Sequence, residues 1–221
     1  MCVEDLRLKN LQLGDDAADR FLRSIEHVPS VKQLDLSFNV LGAAAMAPLA
    51  GCAFTLHLES LDLSGNEIGT DGARALCAAD LPELRTLDLS WCELVDSAVH
   101  AIAGARGMPS LQNLTLRRNN LTDAGGAALA ASAHLRVQLL RLSIDYNDGM
   151  TAKGRKVLRA AFDVVSVLTT FEGPARTFFA GRPASSSADR GTRSRRRSFD
   201  RSTAPPRADL TALWPTSTTS S

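Results

Sequence analysis

The chain has 221 residues, 44% hydrophobic and 22% charged, with a formal net charge of +1, a composition that fits a folded protein and excludes collagen-like or wholly disordered chains. The near-neutral total hides a split, because residues 173–221 hold nine Arg against three Asp while residues 1–172 hold 16 basic and 21 acidic residues. No run approaches the roughly 18 apolar residues of a membrane span, Met1-Cys2-Val3-Glu4-Asp5 lacks the basic start and apolar run of a secretory signal, and four cysteines without a CxxC pair argue against a zinc site or a disulfide framework.

In chain order the first recognisable element is Leu6-x-Leu8. The pair returns as Leu34-x-Leu36, Leu61-x-Leu63, Leu87-x-Leu89, Leu114-x-Leu116 and Leu142-x-Ile144, at steps of 28, 27, 26, 27 and 28 residues. Each pair reads as a short strand with its two apolar side chains in the core and the residue between them pointing outward. Parallel strands need a crossover, and helices are predicted over 15–27, 42–53, 70–79, 95–105, 122–133 and 151–161. Polar first turns such as Thr70-Asp71 and Thr122-Asp123 suit helix N-termini, and Ala-rich interiors allow close packing.

Five residues beyond the first Leu of each pair stands Asn39, Asn66, Cys92, Asn119 or Asn147, with Leu11 in the first unit. A side chain there can bond backbone groups that the turn leaves unpaired, so these positions are expected to form a buried ladder. Two residues further on come Leu13, Leu41, Ile68, Leu94 and Leu121, replaced by Gly149 in the sixth unit. The pattern Leu-x-x-Leu-x-Leu-x-x-Asn-x-Leu followed by a helix resembles the ribonuclease-inhibitor-type leucine-rich repeat, over about residues 3–172. The unit Leu84–Asp96, with Cys92 in place of Asn, resembles the cysteine-containing repeat associated with F-box substrate receptors. The resemblance implies an α/β solenoid, a horseshoe with parallel strands on its concave face and helices on its convex face.

Residues 1–172 are therefore read as one repeat domain with six units. The C-terminal cap is expected in Ala160-Ala161-Phe162 and the apolar run Val164–Leu168, and the first unit is read as a degenerate N-terminal cap. Residues 173–221, rich in Arg, Ser and Pro and without periodicity, are expected to be a disordered tail.

Three features are candidate partner-binding elements. Asp35, Asp62 and Asp88 form a column of adjacent carboxylates on the sheet, where a basic partner could be received, and Ser37, Ser64 and Ser90 are expected to face the same surface. Asn10, Phe38, Gly65, Trp91, Arg118 and Tyr146 form a column just past the strand ends, where exposed aromatics suit a binding interface and Gly65 leaves one flank of Trp91 open. Arg117 and Arg118 are read as rim charges. Ran GTPase-activating proteins share the repeat and act through loop residues, which makes Arg117-Arg118 the place to look for that activity. The repeats also suit a ubiquitin-ligase substrate receptor or the repeat domain of an innate-immune sensor, and both of these need a segment beyond the repeats.

The four histidines, His27, His57, His100 and His134, occupy unrelated repeat positions, and no nucleophile, paired-carboxylate or phosphate-loop pattern is legible. No catalytic residue, metal or cofactor is expected. In the tail, Arg193–Arg197 with Ser198 reads as a basophilic phosphorylation site or a nuclear-import signal. The expectation is thus a cytoplasmic interaction module with a route to the nucleus. Its partner is another protein, with no small-molecule substrate, no sequence-specific nucleic acid and no membrane.

Overall fold

A computed structural model describes residues 4–25 and 31–162, all within the first of the two units into which the chain divides, Met1–Gly173. Cys2, His27, the run 164–168, the tail and Ser198 lie outside the described residues. Six three-residue strands, β1 (Asp5–Arg7), β2 (Gln33–Asp35), β3 (Ser60–Asp62), β4 (Thr86–Asp88), β5 (Asn113–Thr115) and β6 (Arg141–Ser143), form one parallel sheet in sequence order. The register aligns Leu6, Leu34, Leu61, Leu87, Leu114 and Leu142 as one column. From Leu34 onward both core columns are buried, whereas Leu6 and Leu8 in the first unit are half-buried. Each fully buried Leu contributes about 1.5–3 kcal/mol, so the leucine columns are the main cohesive force of the stack.

Helices return the chain between strands: α1 (Asp15–Ser24), α2 (Met46–Ala50), α3 (Gly69–Cys77), α4 (Asp96–Gly104), α5 (Asp123–Ala131), α6 (Ala133–Gln138) and α7 (Ala152–Ala161). Two departures from the predicted helices have local causes. The 42–53 segment is a 3-10 turn at Ala43–Ala45, then the short α2, then a second 3-10 stretch at Ala53–His57. Pro48 lacks the N–H that would help fuse these into one regular helix, and Gly51 favours an end. The helix expected over 122–133 stops at Ala131 because Ser132 is extended, its hydroxyl donating to Ala103 O of the preceding unit at 2.8 Å; α6 follows.

The Asn positions bond backward, each to the repeat before it. Asn39 Oδ1 accepts the N–H groups of Leu11 (3.0 Å) and Leu13 (3.1 Å), and its Nδ2 donates to Leu8 O (2.8 Å). Asn66 accepts from Leu41 at 3.1 Å and donates to Leu36 O at 3.0 Å. Asn147 accepts from the N–H groups of Asn119 (3.1 Å) and Leu121 (3.2 Å) and donates to Leu116 O at 3.0 Å. Cys92 has only its thiol, which donates to Leu63 O at 3.3 Å.

A second set of bonds ties the helix starts together. Asp15 accepts the Gly42 N–H at 2.7 Å, Asp96 the Thr122 N–H at 2.8 Å and Asp123 the Thr151 N–H at 2.8 Å. The threonine hydroxyls donate to the second oxygens of Asp96 and Asp123, and the Thr151 bonds hold the Asp123 carboxyl below its ordinary range. Space for these carboxylates comes from Gly125 and Gly154, where an added Cβ would lie 2.5 Å from Asp96 Oδ1 and 2.2 Å from Asp123 Oδ1.

Candidate functional site

Every strand runs into the same sharp turn. The residue four beyond the first core Leu is in the left-handed region: Asn10, Phe38, Trp91, Arg118 and Tyr146 have φ between 54° and 58°, and Gly65 has 72°. A side chain in that conformation costs roughly 1–2 kcal/mol. The cost is offset because the turn extends the interstrand bonding. The N–H groups of Phe38, Trp91 and Arg118 donate to Ser64 O (2.7 Å), Arg117 O (3.0 Å) and Asp145 O (3.0 Å) of the next unit. The bend places the side chains on the rim of the sheet, where Phe38, Trp91 and Tyr146 are 50%, 46% and 45% exposed.

On this rim, rings and cations alternate. Lys9 Nζ sits 5.0 Å from the Phe38 ring centre. The Phe38 ring leans over Gly65, where an added Cβ would be 2.8 Å from Cδ1, so part of the space read from the sequence as open beside Trp91 is taken by Phe38. The Arg118 guanidinium carbon is 4.6 Å from the Trp91 ring centre and 4.4 Å from that of Tyr146. Arg117, one residue earlier and half exposed, has a carboxylate neighbour: its Nε is 3.7 Å from Oδ2 of the buried Asp145, and its guanidinium is 5.4 Å from the Tyr146 ring centre. The two adjacent arginines thus have different surroundings. The register already made the Arg117–Asp145 neighbourhood readable, since both are one residue past the second core position on adjacent strands. The Lys9–Phe38 contact had no such signal.

Asp35, Asp62 and Asp88 are adjacent in register and half-buried. One oxygen of each is occupied, accepting the N–H of Ser37 (2.9 Å), Ser64 (2.9 Å) or Ser90 (2.8 Å). The serines, expected to face the sheet surface, are buried there; each gives its N–H to its own aspartate, and the Ser37 hydroxyl donates to Asp35 at 2.6 Å.

Burial pushes the Asp88 carboxyl above its ordinary range, Asp62 adds to the rise, and the Ser90 bonds and Arg117 oppose it. Ionised Asp88 therefore costs the folded state at pH values above its folded-state range, and the cost vanishes below the unfolded carboxylate range near pH 4. An Asp88→Asn substitution keeps an oxygen for the Ser90 N–H. It is expected to raise the thermal midpoint at pH 7 and to leave it little changed at pH 3.5. An equal shift at both pH values would show that ionisation of Asp88 carries no such cost.

Among the described residues, no group of three His, Cys, Asp or Glu side chains could hold a metal ion, and no helix is long and apolar enough to cross a membrane. Cys52, Cys77 and Cys92 are free thiols, and burial pushes Cys77 and Cys92 up to about 12. His100 is engaged by Asp96 O at 2.8 Å, and His57 lies 3.6 Å from Glu83.

The profile of the family described as Leucine Rich repeat matches residues 27–50, 56–77, 82–103 and 107–130. The chain is 34% identical over 137 residues to the mouse Tonsoku-like protein, covering 57% of this chain and 10% of that protein. It is 30% identical over 155 residues to human leucine-rich repeat-containing protein 73, covering 66% and 49%, and 30% identical over 166 residues to pig ribonuclease inhibitor, covering 71% and 36%. The chain thus spans at most about half the length of these curated relatives. Stacked parallel strands, helical returns, Asn ladder and matched repeats agree: the described residues form a solenoid of leucine-rich repeats of the ribonuclease-inhibitor type.

Proposed function

We propose that this repeat domain is a protein-binding module whose docking surface is the strand-end rim from Phe38 to Tyr146, with the Asp35–Asp62–Asp88 column beside it. The observation that carries the proposal is the row of large side chains, Phe38, Trp91, Arg118 and Tyr146, held in the same left-handed turn of the second, fourth, fifth and sixth units with the three rings half exposed. Aromatic groups fixed in this way bury much area at little further entropy cost, as interface anchors do. A relative named as a ribonuclease inhibitor is consistent with a protein ligand.

The test uses the full chain as bait, identification of a captured protein, and calorimetry with that protein purified. Trp91→Ala is expected to weaken binding about 30-fold, the effect of losing a buried Trp anchor worth about 2 kcal/mol. Asp62→Ala should cost less, because Asp35 and Asp88 still set the local potential and salt screens all three. Wild-type affinity in Trp91→Ala, with its fold intact, would exclude the rim as the docking surface.

A further inference from the structure

Arg118 differs from the other described arginines in how it is held. Its guanidinium is close to the aromatic rings of both flanking units, with the Trp91 and Tyr146 ring centres 4.6 Å and 4.4 Å from the central carbon. Among the described residues no carboxylate forms an ion pair with it. Ring contacts of this kind use the faces of a guanidinium and not its N–H donors, which lie in its plane, so they leave those donors for a ligand. The side chain has thus already given up much of its rotamer freedom and keeps its donors available, the condition under which a bidentate bond forms at least entropic cost.

Resting on the reading of the rim as a docking surface, we propose that Arg118 is a carboxylate receptor. The partner presents an Asp or Glu side chain to the outer edge of the Arg118 guanidinium, with an apolar neighbour packed on the exposed Trp91 ring. The charge around it selects this ligand over a phosphate group. Arg117, the nearest second cation in sequence, already has the buried Asp145 carboxylate 3.7 Å from its Nε as a counter-charge, so Arg118 is the one uncompensated cation of the pair, which matches a monoanion. Asp62 and Asp88, on the adjoining sheet, would repel a dianion more strongly than a single carboxylate. A cation set beside this acidic column also requires a partner acidic at one point and not throughout, and so disfavours a nucleic acid backbone.

The test is selection from a random dodecapeptide library displayed on phage, with the full chain immobilised. Selected peptides are then synthesised with Glu (or Asp), Gln (or Asn) and phosphoserine at the acidic position. Enrichment of an acidic residue next to an apolar one is expected. Its amide replacement should weaken binding at least tenfold to the wild-type chain and have little effect on Arg118→Gln, so that the two losses do not add. Arg118→Lys should recover only part of the affinity, since it keeps the charge and loses the fork. Thermal midpoints equal to wild type in both Arg118 variants exclude a folding effect.

Peptides that bind without an acidic residue but are lost with Trp91→Ala would overturn the receptor role and leave the rim reading standing. Peptides indifferent to both Trp91→Ala and Arg118→Gln would overturn both, as would an absence of enrichment. Tighter binding of the phosphoserine form would replace the carboxylate by a phosphate ligand and so overturn the assignment.

Discussion

Asn119→Leu is expected to lower the unfolding free energy by about 3 kcal/mol or more. Asn119 Oδ1 accepts the N–H groups of Cys92 and Leu94, each at 3.0 Å, and its Nδ2 donates to Leu89 O at 2.8 Å. These are buried backbone groups of the preceding repeat, and a leucine of similar volume satisfies none of them. Stranding a buried donor or acceptor costs about 1–3 kcal/mol, and three are stranded at once. The extra apolar surface of leucine recovers only part of this, since the pocket is shaped for a flat amide. Against a typical total of about 5–15 kcal/mol, the loss is large enough to read from urea unfolding followed by circular dichroism. An unchanged midpoint would mean that water reaches these amides.

A comparable loss is expected for Gly107→Ala, for a steric reason. A Cβ at residue 107 would lie 2.0 Å from the carbonyl oxygen of Ala79 and 3.1 Å from its carbon. The obstacle is backbone, so no rotamer change relieves it. The two loops are also tied together, because the Leu81 N–H donates to Gly107 O at 2.7 Å. Either the loops separate and lose that bond, or the clash is absorbed as strain, at about 3 kcal/mol. Gly104, at the end of α4, provides the matched control: nothing lies within 4 Å of the position its Cβ would take. Gly104→Ala should be neutral or stabilising by up to about 1 kcal/mol through helix propensity. Equal midpoints for the two variants would refute the steric account.

The sheet was legible because leucine spacing is a direct consequence of stacking: a strand that repeats every 26–28 residues with two inward positions has one register. The ladder was legible for the same reason, since Asn39, Asn66, Asn119 and Asn147 recur in phase. The direction of its bonds was not, because position alone does not say whether an amide serves its own turn or the one before. The conformation of the rim was hidden by propensity. Phe, Trp and Tyr avoid left-handed backbone in isolation, and Asn10 and Gly65 in the same column were the residues that hinted at it. Asp96 and Asp123 read as ordinary helix-start acids, whereas their oxygens reach Thr122 and Thr151 a whole repeat away. Pro48 and Gly51 are visible in the sequence, but the surrounding alanines favour helix strongly enough that the pattern overstates its length.

Cys92 has a consequence for how the stack holds together. Where Asn39, Asn66, Asn119 and Asn147 offer the neighbouring turn an amide oxygen, this position offers a sulfur, which donates weakly to Leu63 O at 3.3 Å and is a weaker acceptor than an amide for the Asn66 and Gly65 N–H groups. The small bridges that extend pairing past the rim run from Gly14 to Val40, from Val95 to Asn120 and from Thr122 to Gly149, so they join the first unit to the second and the fourth to the sixth. In a one-dimensional array, cooperativity passes only through nearest-neighbour couplings, and the weakest of them divides it. At the boundary between the third and fourth units the coupling is carried by the paired strands and by the Gly69 N–H, which donates to Cys92 O at 2.9 Å, so the backbone of Cys92 keeps the array continuous where its side chain gives up the amide, one turn from Trp91.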